Sequence, residues 1–218
     1  MDSVFKSRRD AGRVLAAYLR DYADRDDVTV LALPRGGVPV AFEVADALRA
    51  ALDVLVVRKL GVPVQPELAM GAIASGNAFY LDERIVAAAG VTEDALDGVI
   101  AQERAELERR ETLYRGERPP LDMNGRVAII IDDGLATGAT MKAAALSLRH
   151  AGAARPARIV AALPVAPLRS EARFEEAVDD FVCVLRPPHF LGVGQFYADF
   201  DQTSDDEVRA LLAAARST

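Results

Sequence analysis

One stretch of this sequence gathers the groups that anion and hydroxyl chemistry needs. The apolar run Val127-Ala128-Ile129-Ile130-Ile131 ends in two adjacent carboxylates, Asp132 and Asp133. A loop of small residues with two hydroxyls follows: Gly134-Leu135-Ala136-Thr137-Gly138-Ala139-Thr140. Two neighbouring carboxylates attract hydroxyl donors or a hydrated divalent cation. The backbone N–H groups of residues 136–140, the Thr137 and Thr140 hydroxyls and the start of the next helix make a cradle for an anion. Small residues at Ala136, Gly138 and Ala139 let a phosphate come close to the backbone. A phosphate site beside a site for neighbouring hydroxyls describes a ribose 5-phosphate. The plainer alternative is a strand that ends in a solvated turn before a capped helix. Nothing matches the G-x-x-x-x-G-K-[ST] loop of nucleoside triphosphatases.

Two further places offer positive charge. The turn Leu33-Pro34-Arg35-Gly36-Gly37-Val38 follows an apolar run and opens a helix, so its glycines and arginine are a second anion site, or else a plain strand-to-helix turn. It is also a place for a strained or cis peptide. Arg58-Lys59 reads as the end of the second strand, either a cationic pair at the sheet's carboxyl edge or a solvated strand end. No cluster of Cys, His and acids forms a structural metal site. His150 ends a helix, and His189 reads as a packed or solvated loop residue. The single cysteine, Cys183, lies in an apolar run and reads as a buried, inert thiol.

These groups need a scaffold. Five apolar runs predict strands at Val28–Leu33, Val54–Val57, Val127–Ile131, Ile159–Leu163 and Phe181–Leu185. They are continuous rather than alternating, as in a parallel sheet buried on both faces. Helical patterns follow the first, third and fourth, at Pro39–Ala51, Thr140–Ala151 (with Gly152 as C-cap) and about 167–178. The expected fold is α/β: a doubly wound, mainly parallel sheet of about five strands with helices on both faces and a small hood or insertion lobe. Amphipathic helices are predicted at 7–23, with Val14, Leu15, Tyr18, Leu19 and Tyr22 on one face, and at 93–114 behind a Thr92 cap. In the latter, Glu106–Arg110 is an i,i+4 pair. Ser204-Asp205-Asp206-Glu207 is a capping box that opens a C-terminal helix. Residues 69–74 and 78–81 form a hairpin around Ser75-Gly76-Asn77. The organisation expected is one domain over 1–218, with a core at about 25–190, an inserted hairpin and helix at 60–115 and a tail and helix at 186–218.

The chain has 218 residues, 51% hydrophobic, which is enough to bury a sizeable core. Its net charge of −7 argues against a sequence-independent nucleic-acid binder. No apolar stretch is long enough to span a bilayer, and the first residues lack a secretory signal, so a reduced, cytoplasmic, soluble protein without nucleic-acid or membrane partners is expected.

The acidic pair and the Thr-Gly-x-Thr end of the loop resemble the type I phosphoribosyltransferase family, and Asp132–Met141 is most similar to the loop of its adenine and orotate members. The resemblance implies transfer of a phosphoribosyl group from 5-phosphoribosyl-1-pyrophosphate to a nitrogenous acceptor such as a nucleobase, with release of pyrophosphate, in nucleotide metabolism and salvage. It implies Mg²⁺, approached by Asp132 and Asp133 through ribose hydroxyls or water, and a homodimer. Gly36 and Gly37 would form the pyrophosphate turn, and Arg35, Arg58, Lys59 and Mg²⁺ would neutralise the leaving group. The transition state would be oxocarbenium-like, and the insertion at 60–91 would close to exclude water. Ala136 stands where hypoxanthine–guanine members carry an Asp beside the base, so Glu67, in Pro66-Glu67-Leu68, is the candidate proton acceptor; otherwise it is an exposed glutamate. The tail around Phe190 and Asp199 resembles the purine hood: Phe190 would stack on the base and Asp199 accept from amines, unless these aromatics only seal the tail to the core. Two other readings are a non-catalytic regulatory binder of the donor or of nucleotides, and a phospho-receiver domain, which would need no Thr-Gly-x-Thr cradle.

Overall fold

The computed structural model describes residues 5–119 and 121–215. The chain begins with α1 (Arg8–Ala16), β1 (Val28–Ala32), α2 (Gly37–Leu48) and β2 (Ala51–Val54). An excursion follows: β3 (Val57–Val62), β4 (Gln65–Ala74), β5 (Ala78–Leu81), α3 (Glu83–Ala88) and α4 (Glu93–Arg115). The core resumes with β6 (Val127–Ile131), α5 (Ala139–Arg149), β7 (Arg158–Val165) and β8 (Asp180–Leu185), and α6 (Asp205–Ala214) ends it.

The main sheet has the order β2-β1-β6-β7-β8, and every neighbouring pair is parallel. β1 and β6 are buried at all five positions, as their continuous Val, Ile and Leu content requires. Residues of alternate parity feed two cores. Val30, Ala32, Ile129 and Ile131 pack on α1 and α2, while Leu31, Ala128 and Ile130 pack on the α5 side. Chain order reverses between β1 and β6. That reversal makes the switch-point crevice at their carboxyl ends, where ligands of open α/β sheets bind. The turn at 34–37 follows β1 and the acidic loop follows β6, so the topology brings both to that crevice.

The excursion is a second, antiparallel sheet of order β3-β4-β5. It packs against α5 and against α4. The predicted hairpin is β4–β5, with positive φ at Gly76 and Asn77 in its turn. α4 starts behind the Thr92 cap, and Glu106 pairs with Arg110 at 2.7 Å. α6 starts behind Ser204, whose hydroxyl accepts the Glu207 N–H.

Five expectations are corrected. The run Val54–Val57 is not one strand; β2 ends at Val54 and β3 begins at Val57 in the other sheet. Arg58 and Lys59 therefore lie inside an antiparallel strand, not at the carboxyl edge of the main sheet. The helix at about 167–178 is only a 3₁₀ turn at Glu171–Arg173, because the chain closes onto the core through Phe174, Ala177 and Val178. The helix predicted at 7–23 stops at Ala16 and gives way to a 3₁₀ turn at Arg20–Tyr22. Its buried face is Ala11, Gly12, Leu15 and Ala16, with Val14 and Tyr18 exposed. α5 is capped by His150, with Gly152 two residues further on at positive φ.

Candidate active site

The acidic pair sits where β6 runs out. Asp132 turns back on the chain, its Oδ1 accepting the Asp133 N–H at 2.9 Å. Asp133 is held from three directions. Its Oδ2 accepts from Arg8 Nε at 2.8 Å, its carbonyl accepts from the Tyr197 hydroxyl at 2.5 Å, and its carboxylate lies against Gly36, where any Cβ would overlap it. Burial raises the Asp132 carboxyl well above the ordinary carboxylate range, and the charge of Asp133 adds to this. Burial raises Asp133 as well, with the Arg8 guanidinium opposing. Burial also raises the Tyr197 phenol, so it remains a donor.

The loop after the pair divides by role. Leu135 is buried and its N–H reaches Val165 O at 2.9 Å, which anchors the loop to β7. Ala136, Thr137, Ala139 and Thr140 are exposed. Gly138 is the N-cap of α5 at φ +78°, a conformation that glycine adopts without strain, and it offers no side-chain cap. Thr137 Oγ1 accepts the Ala139 N–H at 3.3 Å, leaving most of the first-turn donors to a ligand. This loop surrounds a cavity of about 390 Å³, whose far wall is Val193, Gly194 and Phe200.

The Pro34–Gly37 turn lies beside this cavity's acidic end. The Pro34–Arg35 peptide is cis. A Cβ on Gly37 would come within 2.5 Å of Ile131 O, so only glycine allows the turn to rest on the end of β6. The Arg35 side chain does not face the acidic pair. It lies 3.8 Å from Asp205 on α6, which also accepts from the Tyr114 hydroxyl at 2.6 Å. Burial and the Asp205 partner push the Tyr114 phenol up to about 12.

The expected cation pair is split. Successive residues of a strand face opposite sides. Arg58 shares the parity of Leu60 and Val62, faces α4 and donates to Glu103 Oε2 at 2.6 Å. Lys59 is exposed on the other face and makes no hydrogen bond or ion pair among the described residues. Glu67 is exposed on β4 rather than in a loop and does not line the cavity.

The tail also differs from expectation. Phe190 stacks on Phe196, with ring centroids 5.6 Å apart, and takes no part in the cavity wall. The aromatic at the cavity is Phe200, and the Arg8 guanidinium lies 3.9 Å over its ring. Asp199 is exposed and accepts the Asp201 N–H at 3.1 Å, so it closes a turn. His189 is exposed, and His150 packs its ring on Tyr80. Burial raises the Cys183 thiol, in keeping with an inert core residue.

Arg8, Tyr197 and Asp205 were not evident from sequence. Arg8 reaches Asp133 across 125 residues, and no local spacing signals such a contact.

The sequence pattern of the phosphoribosyl transferase domain matches residues 4–201. A Mycobacterium tuberculosis protein that is provisionally named a phosphoribosyl transferase, found in strains H37Rv and CDC 1551, is 49% identical over 212 residues. The match covers 97% of this chain but only 47% of that protein, so the chain spans about half the length of these curated relatives. The crystal structure of TT1426 from Thermus thermophilus superposes with a TM-score of 0.84 at 37% identity, covering 96% of this chain and 98% of that one.

Proposed function

Since the chain belongs to the phosphoribosyl transferase family, we propose that it transfers the 5-phosphoribosyl group of 5-phosphoribosyl-1-pyrophosphate to a ring nitrogen of a nucleobase. The C1–oxygen bond to pyrophosphate breaks, a C1–nitrogen bond forms, and the nitrogen's proton leaves. One observation carries the reading: the acidic pair, two threonine hydroxyls and the open N-terminus of α5 border a single cavity with an aromatic wall.

In this reading the amides of residues 136–140 and the Thr137 and Thr140 hydroxyls hold the 5-phosphate, a remote handle whose binding energy orients C1. Asp132 and Oδ1 of Asp133, which has no hydrogen-bond partner among the described residues, accept from the ribose hydroxyls. Gly36 and Gly37 present the turn that receives pyrophosphate. Lys59, unlike Arg58, carries a charge with no partner among the described residues and offers it to this anion, and Arg35 swings from Asp205 to the same anion. Phe200, with Gly194, takes the place expected of Phe190 at the acceptor. Glu67 receives the acceptor's proton when the β3–β4 hairpin folds over the site and excludes water.

The donor set suits Mg²⁺. Among the described residues no group of three or more His, Cys, Asp or Glu forms a cage. A pair of hard carboxylates matches an ion that keeps its waters and substrate oxygens. When bound, the ion would neutralise charge on the diphosphate. Among the described residues no helix is long and apolar enough to cross a membrane, and we place the protein in the cytoplasm.

The reading is tested by replacing Thr137 and Thr140 together with Val. Titration calorimetry should show ribose 5-phosphate and every nucleoside monophosphate weakened alike, because all share the phosphate. A loss confined to one nucleotide overturns the cradle.

A second reading, a regulatory binder of the donor or of nucleotides, is favoured by one feature. Two of the three cations assigned to the leaving group, Arg35 and Arg58, face carboxylates outside the cavity. Binding without pyrophosphate release would establish it.

A further inference from the structure

We infer that Arg8 is a positioning residue that couples the donor half of the site to its acceptor wall; the inference rests on the cradle reading above. The Arg8–Asp133 pair lies where three separate segments meet. Asp133 belongs to the acidic loop. Its Oδ2 fills the position of a Cβ on Gly36 in the pyrophosphate turn, and Arg8 Nε lies 3.4 Å from that position. The same guanidinium donates through Nη1 to the Asp201 carbonyl at 2.6 Å and covers the ring of Phe200 at 3.9 Å. One side chain thus touches a carboxylate that faces the ribose and the aromatic that walls the acceptor.

The position of Arg8 argues for such a role. It occupies the first turn of α1, behind the Ser7 cap, where the helix dipole favours acids and disfavours cations. The side chain is nevertheless only 12% exposed and Asp133 only 15%. A buried carboxylate demands a partner, and Arg8 supplies one while leaving Oδ1 to a ligand. The start of α1 is itself fixed to the tail. Phe5 N–H bonds Phe196 O at 2.9 Å, and Ala198 N–H bonds Phe5 O at 2.8 Å. The tail, the N-terminal segment and the acidic loop are therefore linked around Arg8.

The planar guanidinium makes all three contacts at once: an edge to Asp133, a corner to Asp201 and a face to Phe200. An ammonium provides charge but no face. Arg8→Lys should therefore keep the Asp133 contact and lose the hold on Phe200, whereas Arg8→Ala loses both.

The test is calorimetric titration of wild type, Arg8→Lys and Arg8→Ala with two probes, ribose 5-phosphate and a purine nucleoside 5′-monophosphate, beside thermal melts. Arg8→Ala should weaken both probes about tenfold or more, and Arg8→Lys should weaken the monophosphate by that factor while holding ribose 5-phosphate within about threefold. Phe200→Leu removes the covered ring without touching Asp133 and should reproduce the Arg8→Lys pattern even where Arg8→Ala folds poorly. Equal losses of both probes in Arg8→Lys and in Phe200→Leu, tracking the melting temperature, overturn the inference. So does wild-type affinity for ribose 5-phosphate in a folded Arg8→Ala protein. A wild type that binds neither probe overturns the cradle reading itself, and the inference with it.

Discussion

The Asp133 carboxylate lies against the backbone of Gly36, in the space that a side chain there would fill. Gly36 has φ −61° and ψ −32°, a conformation open to any residue, so the requirement for glycine is steric. Gly36→Ala should push Asp133 off its position. Inserting a methyl into such a contact costs about 1–3 kcal/mol. The expected outcome is a fall of about tenfold or more in donor affinity, read by calorimetry, in a protein that still folds. Unchanged affinity would separate Asp133 from the donor.

A second prediction concerns the salt link between the Pro34–Gly37 turn and α6. Arg35 faces Asp205, so the arginine is engaged before any anion arrives. Asp205→Asn should strengthen inhibition by pyrophosphate, and Arg35→Ala should weaken it, while binding of a nucleoside monophosphate stays level in both. Removing an acid from the first turn of α6 costs about 0.3–1 kcal/mol of stability, which a thermal melt will show. Equal effects on pyrophosphate and monophosphate would assign Arg35 to the fold.

The split of Arg58 from Lys59 yields a third. Arg58→Ala strands the half-buried Glu103 and should cost about 1–3 kcal/mol of stability, measured by urea unfolding. Lys59→Ala removes an exposed cation and should leave stability within about 0.5 kcal/mol while slowing pyrophosphate release. The reverse pattern would restore Arg58 as the residue that meets the leaving group.

The acidic pair has a stability cost with a definite pH dependence. The folded-state pKa of Asp132 lies above its unfolded value, so charging it opposes folding. That penalty is absent below the unfolded pKa and grows as pH rises through the folded one. Asp132→Asn should therefore be more stable than wild type at neutral pH, with the gap closing toward about pH 4. A gap independent of pH would remove burial of charge as its cause.

How much of this was legible depends on the range of the signal. β6, the acidic loop and the start of α5 follow one another in the chain, and their pattern placed the strand and the helix on either side of the loop. The Gly36–Gly37 turn was legible for the same reason. The run Val54–Val57 was misread because an unbroken apolar stretch does not reveal that its two ends join different sheets. That error carried Arg58 and Lys59 to the wrong edge. Glu103 is the partner of Arg58 from 45 residues away. The tail showed its aromatics, but which of Phe190 and Phe200 faces the cavity depends on how the N-terminal segment pairs with residues 196–199, a contact between opposite ends of the chain. Arg8 was hidden by the same distance.

Transferase chemistry is tested most directly by release of pyrophosphate from 5-phosphoribosyl-1-pyrophosphate in the presence of Mg²⁺ and a panel of nucleobases, each followed separately. The expected result is release that depends on one class of base, yields the matching nucleoside monophosphate in equal amount, and is lost when Asp132 and Asp133 are both replaced by Asn. Base-independent release, or none from a protein that binds the donor tightly, would contradict it.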